Sequence, residues 1–225
     1  VHSATKYLGG HGTTMGGVIV ESGKFPWDNG NFPQMTEPSR GYHGVRFYET
    51  FGDFGFTMKA RMETMRTLGP TLSPMSAFLL LQGVETLHLR MPRHSESALA
   101  VAQHLAAHPK VDWVNYPGLP GSRHRARAER YLPRGAGGVL TFGVAGGAAA
   151  GVRLIESVQF LSHLANIGDA RSLVIHPAST THRQLSDDEQ RAAGVSPEMI
   201  RLSIGLEALD DILWDIDQAL TKATS

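Results

Sequence analysis

From residue 110 to residue 225, short apolar runs typical of strands alternate with segments of helical periodicity. Because each helix must bury an apolar face against a sheet, this alternation indicates an α/β or α+β unit. The spacing predicts strands over 111–116, 138–145, 172–176 and 199–205, and helices over 122–131, 147–157 and 187–193. A final helix is predicted from one apolar stripe, formed by Leu209, Ile212, Leu213, Ile216 and Leu220.

The first quarter of the chain has a different pattern. β-Branched residues at 18–20 predict a short strand. Aromatic residues between 25 and 57 are interleaved with Gly, Pro and Asn. Disordered segments are poor in aromatics, so this stretch predicts a long ordered loop.

Residues 58–107 have the pattern of a helical segment. Pro92 predicts an interruption, because it has no N–H to offer the carbonyl of the residue four positions earlier. The helical pattern stops before Pro109, where the alternating pattern begins. We therefore place a domain boundary there, which divides the chain into residues 1–109 and 110–225.

Composition excludes several classes of function. The chain has 21 Lys and Arg against 21 Asp and Glu, and this balance argues against bulk binding to nucleic acid or to an acidic membrane. No apolar run approaches the roughly 20 residues that a membrane helix needs. With no Cys, the chain has no disulfide scaffold, no iron–sulfur cluster and no Cys nucleophile. The histidines at 11, 176 and 182 lack compact ligand spacing, so no metal is predicted.

The N-terminal segment combines hydroxyl side chains, a lysine and a glycine cluster over residues 2–12. Hydroxyls and exposed backbone N–H groups bind phosphate, and Lys6 beside them could form a Schiff base with a carbonyl cofactor. The segment matches neither common nucleotide-binding loop, since Met15 stands where one needs Gly. A surface lysine ahead of a Gly-rich turn is the alternative that composition leaves open.

The segment Ser3-Ala4-Thr5-Lys6-Tyr7-Leu8-Gly9-Gly10-His11 resembles the cofactor-lysine segment of the Cys/Met-metabolism pyridoxal-phosphate (PLP) enzymes. Further motifs follow in the order of that family: Leu89-Arg90-Met91 with His94, Tyr116-Pro117-Gly118-Leu119-Pro120, Gly137-Gly138-Val139, the run 176–182 and the run 200–207. The stretches 25–44 and 166–172 resemble those of the O-acetylhomoserine sulfhydrylases within the family.

The resemblance implies an α/β fold, namely the C-terminal part of a fold-type I, aminotransferase-like PLP enzyme. Residues 1–109 would be a remnant of the large cofactor domain with linking helices, and residues 110–225 the small C-terminal domain. Family members carry an N-terminal half before the lysine segment. We therefore expect this chain to be a truncated species that is inactive alone.

The resemblance also implies an activity, PLP-dependent γ-replacement of O-acetylhomoserine by sulfide to give homocysteine in methionine biosynthesis. Lys6 would be the Schiff-base lysine and proton shuttle, and Ser3 and Thr5 would hold the cofactor phosphate. Arg201 would bind the substrate carboxylate, with Asn166 and Thr181 lining the site. Without the resemblance, the favoured interpretation of Arg201 is a solvated or salt-bridged residue on a strand face, and Asn166 and Thr181 could be ordinary turn residues.

Two alternatives to the sulfhydrylase stay open at this point. One is a relative in the same family, a methionine γ-lyase or a cystathionine γ-synthase. The other is a non-catalytic interaction fragment. The family further implies a small amino-acid substrate and a homotetramer in the full-length enzyme. No targeting signal is visible, so the cytoplasm is the default location, and the balanced charge predicts no nucleic-acid or membrane partner.

Overall fold

Short elements make up the first unit of the chain, Val1–Ala4 with Met15–Leu79, in the computed structural model, which describes residues 1–225. Strand β1 (His2–Ser3) pairs antiparallel with β2 (Gly17–Val18). The helices are α1 (Pro33–Thr36), α2 (Phe47–Phe51), α3 (Gly55–Lys59) and α4 (Arg66–Leu68), with 3-10 turns at Arg40–Tyr42 and Gly52–Phe54 and a π-helical turn at Ala60–Met65.

The predicted long loop at 25–57 is therefore wrong, because short helices occupy part of it. Helices this short are unstable alone and depend on packing. Phe47 is fully buried here, and the ring of Trp27 stacks on Phe56 with centroids 5.2 Å apart. The aromatic residues thus form a small core rather than a loop surface. The predicted strand at 18–20 is reduced to Gly17–Val18.

The helical segment is interrupted at a different place from the predicted one. Helix α5 (Pro74–Glu85) is followed by α6 (Leu87–Ala107), and α6 runs through Pro92. The break lies at Thr86, whose φ of −102° and ψ of 3° are not helical. Pro92 removes one backbone hydrogen bond, and the carbonyl it leaves belongs to the exposed His88, where water can take its place.

The second unit, Thr5–Thr14 with Leu80–Ser225, contains a five-stranded sheet. Its strands are β3 (Val111–Asn115), β4 (Val139–Val144), β5 (Ser162–His163), β6 (Leu173–Ile175) and β7 (Met199–Ser203). They lie in the order β3-β4-β7-β6-β5, and every neighbouring pair is antiparallel except the parallel pair of β5 and β6. The strands predicted near 111, 138, 172 and 199 are confirmed.

Helices pack on this sheet and form the main core. The remaining helices are α7 (Arg125–Tyr131), α8 (Gly147–Ser157), α9 (Asp187–Ala192) and α10 (Leu209–Ala223), and all four were predicted. Helices α6 and α8 contact the strands, and α10 packs on both of those helices. None of the helices combines the length and the apolar character that crossing a bilayer requires.

The compact units do not coincide with the predicted boundary near residue 109. Helix α6 belongs with the sheet in the second unit, and so does the segment Thr5–Thr14 around Lys6. The division into a cofactor-domain remnant and a small C-terminal domain stays a prediction.

Candidate functional site

Lys6 lies within a π-helical turn at Ala4–Leu8 and interrupts it, with φ −87° and ψ −132°. Its carbonyl accepts a hydrogen bond from the N–H of Gly10 at 2.7 Å, which closes the turn that follows. The side chain is half-buried, and its Nζ donates to Oδ1 of Asn166. The amine is thus held by a neutral amide.

Arg201 lies on β7, the central strand of the sheet. Side chains alternate along a strand, so Ile200 and Leu202 point into the core and Arg201 points to the opposite face. Burial lowers the pKa of Arg201, although a guanidinium stays protonated at neutral pH. None of the ion pairs in the chain involves Arg201. It is therefore a half-buried cation available to an anion from outside the chain.

Asn166 connects the two cations. Its side-chain oxygen accepts from Lys6, and its backbone carbonyl accepts from Nη2 of Arg201 at 3.3 Å. Asn166 lies 160 residues from Lys6 and 35 residues from Arg201 along the chain. The fold thus brings three of the predicted site residues together.

Backbone contacts hold the Asn166 loop against the lysine segment. Gly168 has φ +72°, and a Cβ there would lie 2.7 Å from the backbone N of Tyr7, so this position requires glycine. The N–H of Gly168 donates to Oγ of Ser203 at 3.0 Å. Ser203 lies two residues from Arg201 on β7, so one strand supplies both the cation and the anchor of the loop.

Tyr7, next to the lysine, is also fixed. Its hydroxyl accepts a hydrogen bond from the N–H of Gly138 at 3.0 Å, and its ring meets the ring of His94 edge-on with centroids 5.2 Å apart. Burial raises the pKa of Tyr7, which keeps the hydroxyl neutral at physiological pH.

The other predicted site residues are placed differently. Thr181 is exposed, and its Oγ1 lies 2.9 Å from Nδ1 of His182, with no hydrogen bond to Lys6, Asn166 or Arg201. Thr5 is half-buried next to Lys6, and Ser3 is exposed in β1 of the first unit. The roles given to these three residues stay predictions.

Sequence reasoning assigned no role to Ser203, Tyr7 or Arg90, which support the lysine segment. Alternation on a strand already indicates that Ser203 shares a face with Arg201. No local pattern indicates that Arg90 is buried, because its neighbours Leu89 and Met91 lie on other faces of the helix and Leu89 is exposed.

A cavity of the second unit lies apart from this site. A cavity of about 590 Å³ is lined by residues of α6 and α7 and the segments beside them, among them Pro92, Tyr116 and Arg125, but not by Lys6 or Arg201. No three His, Asp or Glu side chains are grouped in a way that could hold a metal ion.

A family model of the Cys/Met metabolism PLP-dependent enzymes matches residues 1–221. The chain is 52% identical over 229 residues to the O-acetyl-L-homoserine sulfhydrylase of Leptospira meyeri, covering 98% of this chain and 52% of that protein. It is 52% identical over 219 residues to O-acetyl-L-homoserine sulfhydrylase 1 of Thermus thermophilus, covering 97% of this chain and 52% of that protein. Identity to the homocysteine/cysteine synthase of Saccharomyces cerevisiae is 48% over 230 residues, covering 97% and 52%.

A solved structure shares the fold. It is a Campylobacter jejuni protein assigned as an O-acetylhomoserine (thiol)-lyase, and it contains N′-pyridoxyl-lysine-5′-monophosphate. The TM-score is 0.89 at 36% identity, over 98% of this chain and 53% of that one. The chain spans about half the length of the curated relatives it matches. With the family model matched over nearly every residue, the chain belongs to the Cys/Met metabolism PLP-dependent enzyme family.

Proposed function

We propose that this chain supplies the lysine-bearing, C-terminal part of a fold-type I O-acetylhomoserine sulfhydrylase. The net reaction replaces the acetate on the γ-carbon of O-acetylhomoserine by sulfide, so a C–O bond breaks, a C–S bond forms, and homocysteine and acetate are released. The observation that carries the proposal is the convergence of Lys6, Asn166 and Arg201. The sulfhydrylases of Leptospira meyeri and Thermus thermophilus support the choice of reaction.

The residues present fit pyridoxal phosphate. The cofactor supplies an aldehyde that binds an amine and a conjugated ring that takes up an electron pair from the substrate α-carbon. Lys6 offers an amine held by one neutral partner, Asn166, rather than locked in an ion pair. The hydroxyls of Ser3 and Thr5 shortly precede the lysine in sequence and would bind the phosphate.

Lys6 and Arg201 would divide the work on the substrate. The planar guanidinium of Arg201 binds the α-carboxylate through two parallel hydrogen bonds and so fixes the orientation of the amino acid. Nζ of Lys6 would accept the proton from the substrate α-carbon and return it later in the reaction. Nη2 of Arg201 donates to the backbone carbonyl of Asn166, whose side-chain oxygen accepts from this amine. Thr181 would line the pocket near the carboxylate.

The chain has no Cys, and this limits where the sulfur atom of the product can come from. No thiol of these 225 residues can carry the sulfur atom, so the sulfur must come from outside them. Hydrosulfide would add to the γ-carbon after acetate has left it with its electron pair, and the proton taken from the α-carbon would then be returned. The chain then contributes binding, orientation and proton transfer, which need Lys, Arg and Asn rather than Cys.

A chimera tests the proposal. We would join the N-terminal half of the Thermus thermophilus relative to this chain, add pyridoxal phosphate, and measure homocysteine formed from O-acetylhomoserine and sulfide. Lys6→Ala is expected to abolish turnover, with Arg93→Met as a matched control that keeps it. Turnover with cysteine as acceptor, to cystathionine, but not with sulfide would refute the assignment. The same assay on the 225-residue chain alone tests the expectation that it is inactive by itself.

Two further properties are proposed from the family resemblance alone, a homotetrameric full-length enzyme and a cytoplasmic location. Light scattering on the chimera would test the first. Fractionation of the source cells would test the second.

A further inference from the structure

Arg90 is buried, with 5% of its surface exposed, and forms no ion pair. Its guanidinium donates only to neutral oxygens. Nε donates to Oγ1 of Thr86 at 3.0 Å and Nη1 to the carbonyl of Tyr7 at 2.9 Å, while Nη2 donates to the carbonyls of Gly83 at 2.6 Å and Leu8 at 3.4 Å. A buried cation with four neutral acceptors and no carboxylate is uncommon, because burial of a charge is costly.

The lysine segment is shaped around this guanidinium. Gly10 has φ +73°, and a Cβ at this position would collide with Nη1 of Arg90. A Cβ on Gly83 would collide with the carbonyl oxygen of Gly9. Gly10 therefore lets the lysine segment approach the guanidinium, and Gly83 lets helix α5 approach the backbone of that segment. We call Arg90, Gly83 and the carbonyls of Tyr7 and Leu8 the arginine clasp.

The two loop carbonyls in the clasp directly follow Lys6. Both accept from the guanidinium, so removing it takes a donor away from two part-buried acceptors. The N–H of Gly10, which closes the turn on the carbonyl of Lys6, lies in the same few residues. The clasp therefore controls the backbone on which the amine of Lys6 is carried.

We propose that Arg90 is a positioning residue for Lys6. It acts through the backbone of Tyr7 and Leu8, which it ties to helices α5 and α6, and so it directs Nζ of Lys6 toward Asn166 and Arg201. The proposal rests on the proposed function, in which this amine binds the cofactor and transfers the substrate proton.

The first test measures which lysine pyridoxal phosphate modifies. The chain is incubated with pyridoxal phosphate, reduced with borohydride and digested, and the adduct on Lys6 is divided by the adducts on the exposed Lys24 and Lys222. Arg90→Met, which removes the donors, is expected to lower this ratio about tenfold. Arg90→Lys, which keeps a cation and some donors, should restore part of it. Arg93→Met, on the exposed side of the same helix, should leave it unchanged.

The second test needs no cofactor. Hydrogen exchange at the amide of Gly10 reports whether the turn after Lys6 stays closed. We expect exchange about tenfold faster in Arg90→Met than in the unsubstituted chain and Arg93→Met. If Arg90→Met does not fold, Gly83→Ala takes its place in both tests, the Lys6 labelling ratio and the exchange at Gly10. Its added methyl group pushes α5 away from the segment while Arg90 itself is kept.

The outcomes separate the two proposals. If the unsubstituted chain shows no preference for Lys6, the labelling is repeated on the chimera; no preference there refutes the cofactor role of Lys6, and exchange at Gly10 still decides whether the clasp fixes the segment. If a folded Arg90→Met chain keeps the Lys6 ratio and the slow exchange, the positioning role is overturned while the proposed function stands. A loss of thermal stability without a change in either readout also overturns it, because it shows a purely structural role.

Discussion

Asp215 is a fully buried carboxylate that ties the last helix to the segment leading into β5. Its Oδ1 accepts from the N–H of Gln159 at 2.8 Å and from Nε2 of Gln218 at 2.8 Å. Its Oδ2 accepts from the N–H groups of Phe160 at 2.9 Å and Leu161 at 2.7 Å. One side chain therefore satisfies three backbone donors between α8 and β5, and we predict that Asp215→Ala strongly destabilises the second unit.

The magnitude follows from where each donor lies. Leu161 is buried, so its N–H loses its only partner and costs about 2 kcal/mol. Gln159 and Phe160 are exposed residues whose N–H groups can bind water, so each costs about 0.5–1 kcal/mol. Loss of the contact with Gln218 and the cavity left by the carboxylate add about 1 kcal/mol. The sum is about 4 kcal/mol, a large part of the 5–15 kcal/mol typical of a domain.

Urea denaturation followed by circular dichroism measures this effect. We expect the midpoint to fall while the slope stays constant, because the variant exposes the same surface on unfolding. Asp211→Ala is the matched control, since Asp211 is exposed in the first turn of the same helix and should cost less than about 1 kcal/mol. If Asp215→Ala destabilises the chain no more than Asp211→Ala, the reasoning from backbone donors is wrong.

Three further predictions concern pH and substrate binding. Burial raises the pKa of Tyr116 to about 12, so the unfolded chain ionises first and stability is lost between pH 10 and pH 12. In urea titrations, Tyr116→Phe should remove about 2 kcal/mol of that alkaline loss of stability. An unchanged loss of stability above pH 10 would contradict this prediction. Burial lowers the pKa of His94, and the positive charge of Arg90 lowers it further. The hydrogen bond with the Ile204 carbonyl and the nearby Glu207 and Asp169 act in the opposite direction. Its contribution to stability is therefore present above about pH 6.5 and falls as pH drops below that value, and His94→Asn, which keeps a donor to Ile204, should flatten the acid limb of thermal unfolding. In the chimera, Arg201→Lys should raise KM for O-acetylhomoserine about tenfold because the two-pronged contact is lost, and an unchanged KM would exclude Arg201 from carboxylate binding.

Local periodicity predicts the elements of the second unit because each has an apolar face to bury. Strand β7 alternates core residues with Arg201, and α10 has a clear apolar stripe, so both were predicted near their observed bounds. The same logic fails at Pro92, where the cost of one hydrogen bond is small against the packing of the 21-residue helix α6. It fails again at 25–57, where helices too short to show a periodic pattern are stabilised by aromatic packing.

The site itself depends on contacts that no local pattern contains. Lys6 and Asn166 meet across 160 residues, and only the resemblance to a family suggested that both belong to one site. The sequence shows that residue 168 is a glycine, but the positive φ of Gly168 and its close approach to Tyr7 are properties of the folded chain. The predicted residues of one site thus came from family motifs, while their geometry came from the fold.

The electrostatics of the site point to anionic ligands. Lys6, Arg90 and Arg201 form no ion pair, and each donates to an amide, a carbonyl or a hydroxyl oxygen. The chain has as many carboxylates as Lys and Arg side chains, but its carboxylates form their ion pairs with other residues. Asp169, for example, has its Oδ1 4.0 Å from Nε of Arg171. Cations held by neutral oxygens attract an anion without first breaking an ion pair. The carboxylate of the proposed substrate would supply the negative charge that the protein withholds from Arg201, whereas the donors of the buried Arg90 are already taken up by neutral oxygens of the chain.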